Sequence, residues 1–377
     1  MAETFTKTTT TSYKKGVKGS IVGILIGLIF FIASFFILWI NEGGSMRNEE
    51  LSKYMEKNVI SIQPNIINQQ NNSKLIHISG FAKTEESIGD ELIKMPKAIS
   101  LIRKVEMYQW KENKQSETKN HSNGSSTTET NYTYEKVWSA NLIDSSNFEY
   151  RTEHQNSPSF PIKSTRINAY KVMLGEFSLN SGIINKVNAT RKITQLPPNS
   201  KYRIMNGFYF SGKDYDTPQI GDLKISYTYI PSGTAVSVIG QQYNNSITSY
   251  STKNDTIELV SSGTKSSTDM ITEFKTNKFW EAMLMRLAGF ICMFVGLLLI
   301  TAPITALSRI LPIFSNIVEF FTTAAMLIIS LSLTLITISL AWLAYRPLIS
   351  ISVIAGAVSL VMLIKKKKKN QDLIRID

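Results

Sequence analysis

Four stretches of this chain carry no charged residue: Gly19 to Ile40, Leu287 to Leu307, Phe320 to Tyr345 and Pro347 to Ile364. They hold 22, 21, 26 and 18 residues. A helix needs about 20 predominantly apolar residues to cross a hydrocarbon core of about 30 Å. The chain is therefore read as an integral membrane protein, and a freely soluble enzyme is excluded. Its mean hydropathy of −0.04 hides this, because the apolar residues are segregated from the polar ones.

The single cysteine, Cys292, lies inside the second apolar stretch. An intramolecular disulfide and a structural zinc site of the cysteine type are thereby excluded. Residues 41–286 must cohere through an ordinary hydrophobic core, and a segment of that length can build one.

The net charge of +12 is segregated too. Lys7, Lys14, Lys15 and Lys18 precede the first stretch, and Lys365 to Lys369 directly follow the last. Lysine flanking a membrane helix marks the cytoplasmic side and attracts anionic lipid. That reading is preferred over a nucleic-acid patch, so no nucleic-acid partner is expected. The first stretch is longer than a signal-peptide core and ends Trp39-Ile40-Asn41-Glu42-Gly43, without a small-x-small cleavage site. It reads as an uncleaved signal anchor.

The predicted layout follows. A cytoplasmic basic tail (1–18) leads into helix 1 (19–40) and a large non-cytoplasmic domain (41–286). Helix 2 (287–307), a cytoplasmic loop (308–319), helix 3 (320–345), helix 4 (347–364) and a cytoplasmic lysine-rich tail (365–377) complete it. The fold class is a four-helix multi-pass membrane protein with a β-rich (α+β) domain inserted between helices 1 and 2. Both termini are expected in the cytoplasm. Strands are expected at Lys74–Phe81, Leu101–Trp110, Tyr132–Leu142, Ile204–Phe210, Leu223–Ile230, Ala235–Gln242 and Thr256–Val260, where β-branched and aromatic residues cluster. Asn113–Thr130, around Asn123-Gly124, reads as the solvated tip of a long hairpin, since Asn-Gly suits a type I′ turn. Helices at Ser45–Lys57 and Thr268–Ala282 should brace the domain, and Ile310–Phe314 reads as an interfacial segment.

Within the membrane segments, Gly19, Gly23 and Gly27 recur every four residues. Small residues at that spacing let helix backbones approach closely. Thr323, Ser330, Thr334 and Thr337 form a weakly polar stripe on helix 3. A packing seam is the preferred reading of the stripe, and a polar transport path is the other. The expected partner of the glycines is helix 3 or a second copy. No Asp, Glu, Lys, Arg or His lies within the four stretches, which argues against a pump or an ion-coupled carrier.

Chemistry is sparse. His77, His121 and His154 have no metal-ligand spacing, and no nucleophile elbow, phosphate loop or dinucleotide fingerprint occurs. No catalytic residue, metal or cofactor is expected. Seven Asn-x-Ser/Thr acceptors, at Asn71, Asn120, Asn123, Asn131, Asn188, Asn244 and Asn254, all lie in the outer region.

The run Val105-Glu106-Met107-Tyr108-Gln109-Trp110 resembles the transmembrane protein 43 family, also called LUMA. Asn41-Glu42-Gly43, His77-Ile78-Ser79-Gly80, Ser181 to Val187, Gly221-Asp222-Leu223 and Tyr345-Arg346-Pro347-Leu348 match in the same order. The resemblance implies a multi-pass protein of the endoplasmic reticulum and inner nuclear membrane, associated in animals with emerin and lamins. In a bacterium it implies an inner-membrane protein with a periplasmic domain. It brings no enzymatic activity, and the motif residues Val105 to Trp110, Gly221, Asp222, Arg346 and Pro347 come without an assigned role. The function expected is a membrane scaffold that contacts the lipid bilayer, other membrane proteins and further copies of itself. A channel-type assembly is the alternative, and a membrane-tethered hydrolase built on His77 or His154 the third reading.

Overall fold

The computed structural model describes residues 3–11, 13–120, 125–188, 190–308 and 312–345; for 13–21, 120, 304–308 and 312–317 the backbone alone is described. The chain divides into two compact units. The first comprises residues 1–9, 51–118 and 128–274, the second residues 10–50, 119–127 and 275–377.

The helices are α1 (Tyr13–Asn58), the short α2 (Ser181–Lys186), α3 (Ser267–Ser308) and α4 (Pro312–Tyr345). Three stretches of them, Val22–Asn58, Ser267–Pro303 and Val318–Tyr345, are long and apolar enough to cross a membrane. Ile29, Phe36, Leu284, Phe320 and Ile328 stand exposed along them. Apolar surface of that extent calls for lipid rather than water. The expected fourth crossing (347–364) and the lysine-rich tail lie outside the described residues.

The helices differ from expectation at their joins. The first crossing and the Ser45–Lys57 brace are one helix of 46 residues, and the second crossing is continuous with the Thr268–Ala282 brace. No proline interrupts α1 at Gly43-Gly44. Pro303 stays inside α3, and Pro312 opens α4. A proline costs nothing in a first turn, where its missing N–H would have no helical partner. The interfacial segment and loop expected around 308–319 therefore shrink, with residues 312–319 already helical.

Six strands carry most of the first unit: β1 (Glu3–Thr11), β2 (Leu75–Lys83), β3 (Ala98–Asn120), β4 (Ser126–Ser139), β5 (Leu223–Pro231) and β6 (Thr234–Tyr243). One sheet has eight strands. Its path runs β1, β4, β3, β5, then Phe208–Phe210 and Arg203–Met205, with Thr165–Asn168 on β3 and Arg191–Lys192 on β5. The other has seven, in the order Leu259–Ser262, β6, Ser246–Thr248, Phe177–Leu179, Val172–Leu174, β2 and Ile60–Ile62, with β6 also pairing β2 directly. Val105 and Met107 of β3, Ile225 and Tyr227 of β5, Ile76 and Ile78 of β2 and Val236 and Val238 of β6 belong to one buried cluster. Inner-facing side chains of both sheets thus share a core, as the two-residue period of a strand requires.

Three further expectations are corrected. Residues 3–11 are not a free tail but the outermost strand of the larger sheet. Most of the presumed hairpin tip is strand, because hydroxyls pair across it: Ser116 with Thr130 at 3.0 Å and Thr118 with Thr128 at 2.9 Å. Asn123-Gly124 lies outside the described residues. Finally, Ile204–Phe210 is not one strand but a hairpin that turns at Asn206 (φ 44°) and Gly207 (φ 79°). Both central residues need positive φ in such a turn, which is what Asn-Gly supplies.

Candidate functional site: an ion pair among the membrane helices

Glu42 lies two residues past the apolar stretch of α1, and Arg286 directly precedes that of α3. The Glu42 carboxylate is buried and takes two parallel bonds from the Arg286 guanidinium, from Nε at 2.7 Å and Nη2 at 2.8 Å. Trp342 of α4 donates its indole N–H to Glu42 Oε2 at 2.7 Å. The Asn41 amide donates to Glu42 Oε1 at 3.4 Å and to the Ala282 carbonyl at 3.2 Å. One carboxylate thus joins α1, α3 and α4. Planar two-point pairing is the strong form of this contact, and it matters most where water is scarce.

The neighbouring packing is tight. A Cβ on Gly43 would lie 2.8 Å from the Tyr345 ring, and one on Gly289 2.6 Å from Leu38 Cδ2. Further along, a Cβ on Gly27 would meet the Gly296 carbonyl oxygen at 2.7 Å, so the two backbones touch there. This corrects the expected partner for Gly27 alone: it is α3 of the same chain. Nothing lies within 4 Å of a Cβ built on Gly23, so the four-residue glycine step does not form one seam. Gly19 lies in the part of α1 whose backbone alone is described.

On α4, Ser330, Thr334 and Thr337 are buried, whereas Thr323 is exposed. Thr334 reaches Met293 Sδ of α3 at 3.7 Å. Ser330 and Thr337 donate to carbonyls of their own helix, at Leu327 (2.9 Å) and Leu333 (2.7 Å). Hydroxyls satisfied this way are free to pack without lining a polar path.

The family-motif residues of the domain serve its larger sheet. Val105, Met107, Gln109 and Trp110 are buried. Gln109 donates to the Asn141 carbonyl at 2.9 Å and accepts from the Ile143 amide at 2.8 Å. Glu106 pairs with Lys104 at 2.8 Å. Tyr108 exchanges main-chain bonds with Gly221 and Asp222, both at 2.9 Å. Gly221 has φ 96°, a conformation that favours glycine. Arg346 and Pro347 lie outside the described residues.

Among the described residues, His77 and His154 hold separate places in the domain. His77 places Nε2 2.9 Å from the Lys265 carbonyl and Nδ1 3.1 Å from Ser61 Oγ. The carbonyl requires the ring proton on Nε2, so Nδ1 accepts from the hydroxyl. Burial pushes the His77 pKa down, opposed by the bond to Lys265. The serine–histidine contact has the order of a nucleophile and its base, but a carbonyl stands where the triad keeps a carboxylate. His154 is buried with Nδ1 2.7 Å from the Tyr150 carbonyl and its ring stacked on Tyr134. His121 lies outside the described residues.

Glu42 and Arg286 were not expected as a pair from the sequence. The signal was present: opposite charges at the facing ends of two successive apolar stretches, with an indole near the end of a third. A second buried pair, in the domain, was missed too. Arg103 Nη1 lies 2.7 Å from Asp90 and 2.6 Å from Glu91, and the Tyr227 hydroxyl donates to Asp90 at 2.7 Å. Burial, then the Asp90 carboxylate, raise the Tyr227 pKa and keep the phenol protonated.

Apolar helices long enough to span a bilayer, carrying a two-sheet domain between the first and second of them, define a multi-pass membrane protein with a β-rich extramembrane domain. The sequence profile of the family described as Transmembrane protein 43 matches residues 107–347, and the chain belongs to that family. It is similar to Transmembrane protein 43 of Homo sapiens (29% identity over 92% of this chain and 90% of the relative). It is also similar to that of Rattus norvegicus (28% over 86% and 85%) and to the homolog of Drosophila melanogaster (27% over 88% and 92%). No solved structure matches the chain.

Proposed function

We propose that this chain is a non-enzymatic membrane scaffold. Four crossings, the three described helices and residues 347–364, anchor the β-rich domain on the non-cytoplasmic face. There it gathers other membrane proteins. In a eukaryote the membrane is that of the endoplasmic reticulum and nuclear envelope; in an animal, emerin and lamin-linked proteins are the partners to seek.

The observation that carries this reading is how Glu42 and Arg286 are spent. Each Glu42 oxygen is taken by groups of the chain itself, from α3 and α4. A pump or an ion-coupled carrier keeps such a group available to its cargo. An anchor uses it to fix helix positions, and that is the use the hydrogen bonds favour.

Chemical crosslinking in native membranes followed by affinity purification should recover a small recurring set of membrane proteins through the domain. Reconstitution of the purified chain into planar bilayers should give no current. Steady single-channel conductance would overturn the scaffold in favour of a channel-type assembly.

A further inference from the structure

A groove of about 330 Å³ runs between α1 and α4. Phe35, Phe36 and Trp39 form one wall; Leu333, Ile336, Thr337 and Leu340 form the other. Steps of three and four residues put each wall on one face of its helix. Both helices are apolar over spans long enough to cross a bilayer. Phe36 (63% exposed), Ile336 (53%) and Leu340 (52%) carry the walls without a break into the exposed apolar surface of those spans. The groove is therefore an indentation of the surface that faces lipid, and hydrocarbon is the medium beside it.

Two side chains of the walls carry polar atoms. Thr337 is buried and spends its hydroxyl on the Leu333 carbonyl at 2.7 Å. Trp39 is tilted against the Tyr345 ring at 6.0 Å between centroids, and its indole N–H has no acceptor among the described residues. Glu42, three residues further along α1, is already held by Arg286 and Trp342. Trp39 stands one residue before the uncharged stretch ends at Ile40. That is the depth of the membrane interface, where an indole keeps its ring in hydrocarbon and turns its N–H to a polar group. The acceptors a bilayer offers there are the ester carbonyls that join acyl chains to glycerol.

We propose that the groove between α1 and α4 binds one glycerophospholipid, with an acyl chain between the two walls and its ester carbonyl accepting from Trp39 Nε1. From Leu333 to Leu340 the α4 wall is about 10 Å long at 1.5 Å per residue, so it holds the ester end of one chain and releases the remainder into the bilayer. The site does not depend on the scaffold reading.

The full chain in detergent is incubated with a diester phosphatidylcholine or with its diether analogue, which lacks the carbonyls. Retained lipid is counted by native mass spectrometry. One diester lipid per chain should be retained, and the diether about fivefold less, the worth of one ordinary hydrogen bond. That comparison needs no substitution. Trp39→Phe should lower the diester to the diether level and leave the diether unchanged. Ile336→Trp, which fills the groove from an exposed position, should release the diester, whereas Leu287→Trp on an exposed face of α3 should not. Unchanged thermal unfolding of each variant keeps a folding defect from imitating lost binding. Equal retention of the two lipids, or retention untouched by Ile336→Trp, overturns the proposal and leaves only the general lipid shell. Absence of retained lipid overturns it as well. A disulfide between Ile336→Cys and Gly356→Cys would then identify residues 347–364 as what fills the groove.

Discussion

Gly27 and Gly296 face each other where α1 crosses α3, each backbone standing where the other's Cβ would be. In lipid, where burial of apolar surface favours neither partner, close backbone approach is what holds helices together. Gly27→Leu should destabilise the purified protein by about 1–3 kcal/mol, the usual cost of overpacking. Gly23→Leu, with open space around it, should change little. Thermal unfolding in detergent separates the two; equal effects would remove the contact.

The Glu42 cluster predicts an ordered series. Glu42→Ala leaves the Arg286 charge and the Trp342 N–H without their acceptor and should cost about 3–5 kcal/mol. Trp342→Phe keeps the ion pair and loses one bond to a charged acceptor, about 1.5–3 kcal/mol. Arg286→Lys retains the charge but not the two-point pairing, and should fall between Trp342→Phe and Glu42→Ala. Unfolding temperatures of the three variants give the order directly.

How much of this was legible depends on where the information sits. The apolar stretches announced four membrane helices because bilayer thickness acts on local composition alone, and three of them fall among the described residues. The strand at Leu223–Pro231 was legible because one face is buried in the core, which leaves a two-residue period, whereas Leu75–Lys83, buried on both faces from Leu75 to Ile78, was legible from its apolar residues before Gly80. The Asn206-Gly207 turn was readable by the same rule applied to Asn123-Gly124, and was passed over because residues 204–210 look uniformly strand-like. Glu42–Arg286 was signalled only by opposite charges beside two successive apolar stretches, and Arg103–Asp90 and Gly27–Gly296 left no signal, since no periodicity encodes which residues meet.

His77 gives the domain a pH dependence of known sign. Its pKa is lowered in the fold, so the unfolded chain binds a proton that the native chain refuses. The stabilisation is present above the unfolded value, near about 6.5, and is lost as pH falls below it. His77→Gln should flatten the stability profile between about pH 5 and pH 7, because no proton is then taken up on unfolding. Denaturant titrations at both pH values check this; an unchanged slope would assign the dependence elsewhere.

The buried pair of the domain yields the last prediction. Asp90 Oδ1 accepts the amides of Leu92 and Ile93 at 2.9 and 3.0 Å, and its other oxygen takes Arg103 and Tyr227. The same aspartate therefore shapes a turn and neutralises a guanidinium beside the core. Arg103→Ala leaves Asp90 buried with only neutral donors and should cost about 3–5 kcal/mol. Tyr227→Phe removes one bond and leaves the ion pair, at about 1.5–3 kcal/mol. Replacing Asp90 and Arg103 together by Asn and Met removes both charges, and should cost less than Arg103→Ala alone. A double variant as unstable as the two single losses added together would show that the pair contributes through shape rather than through charge.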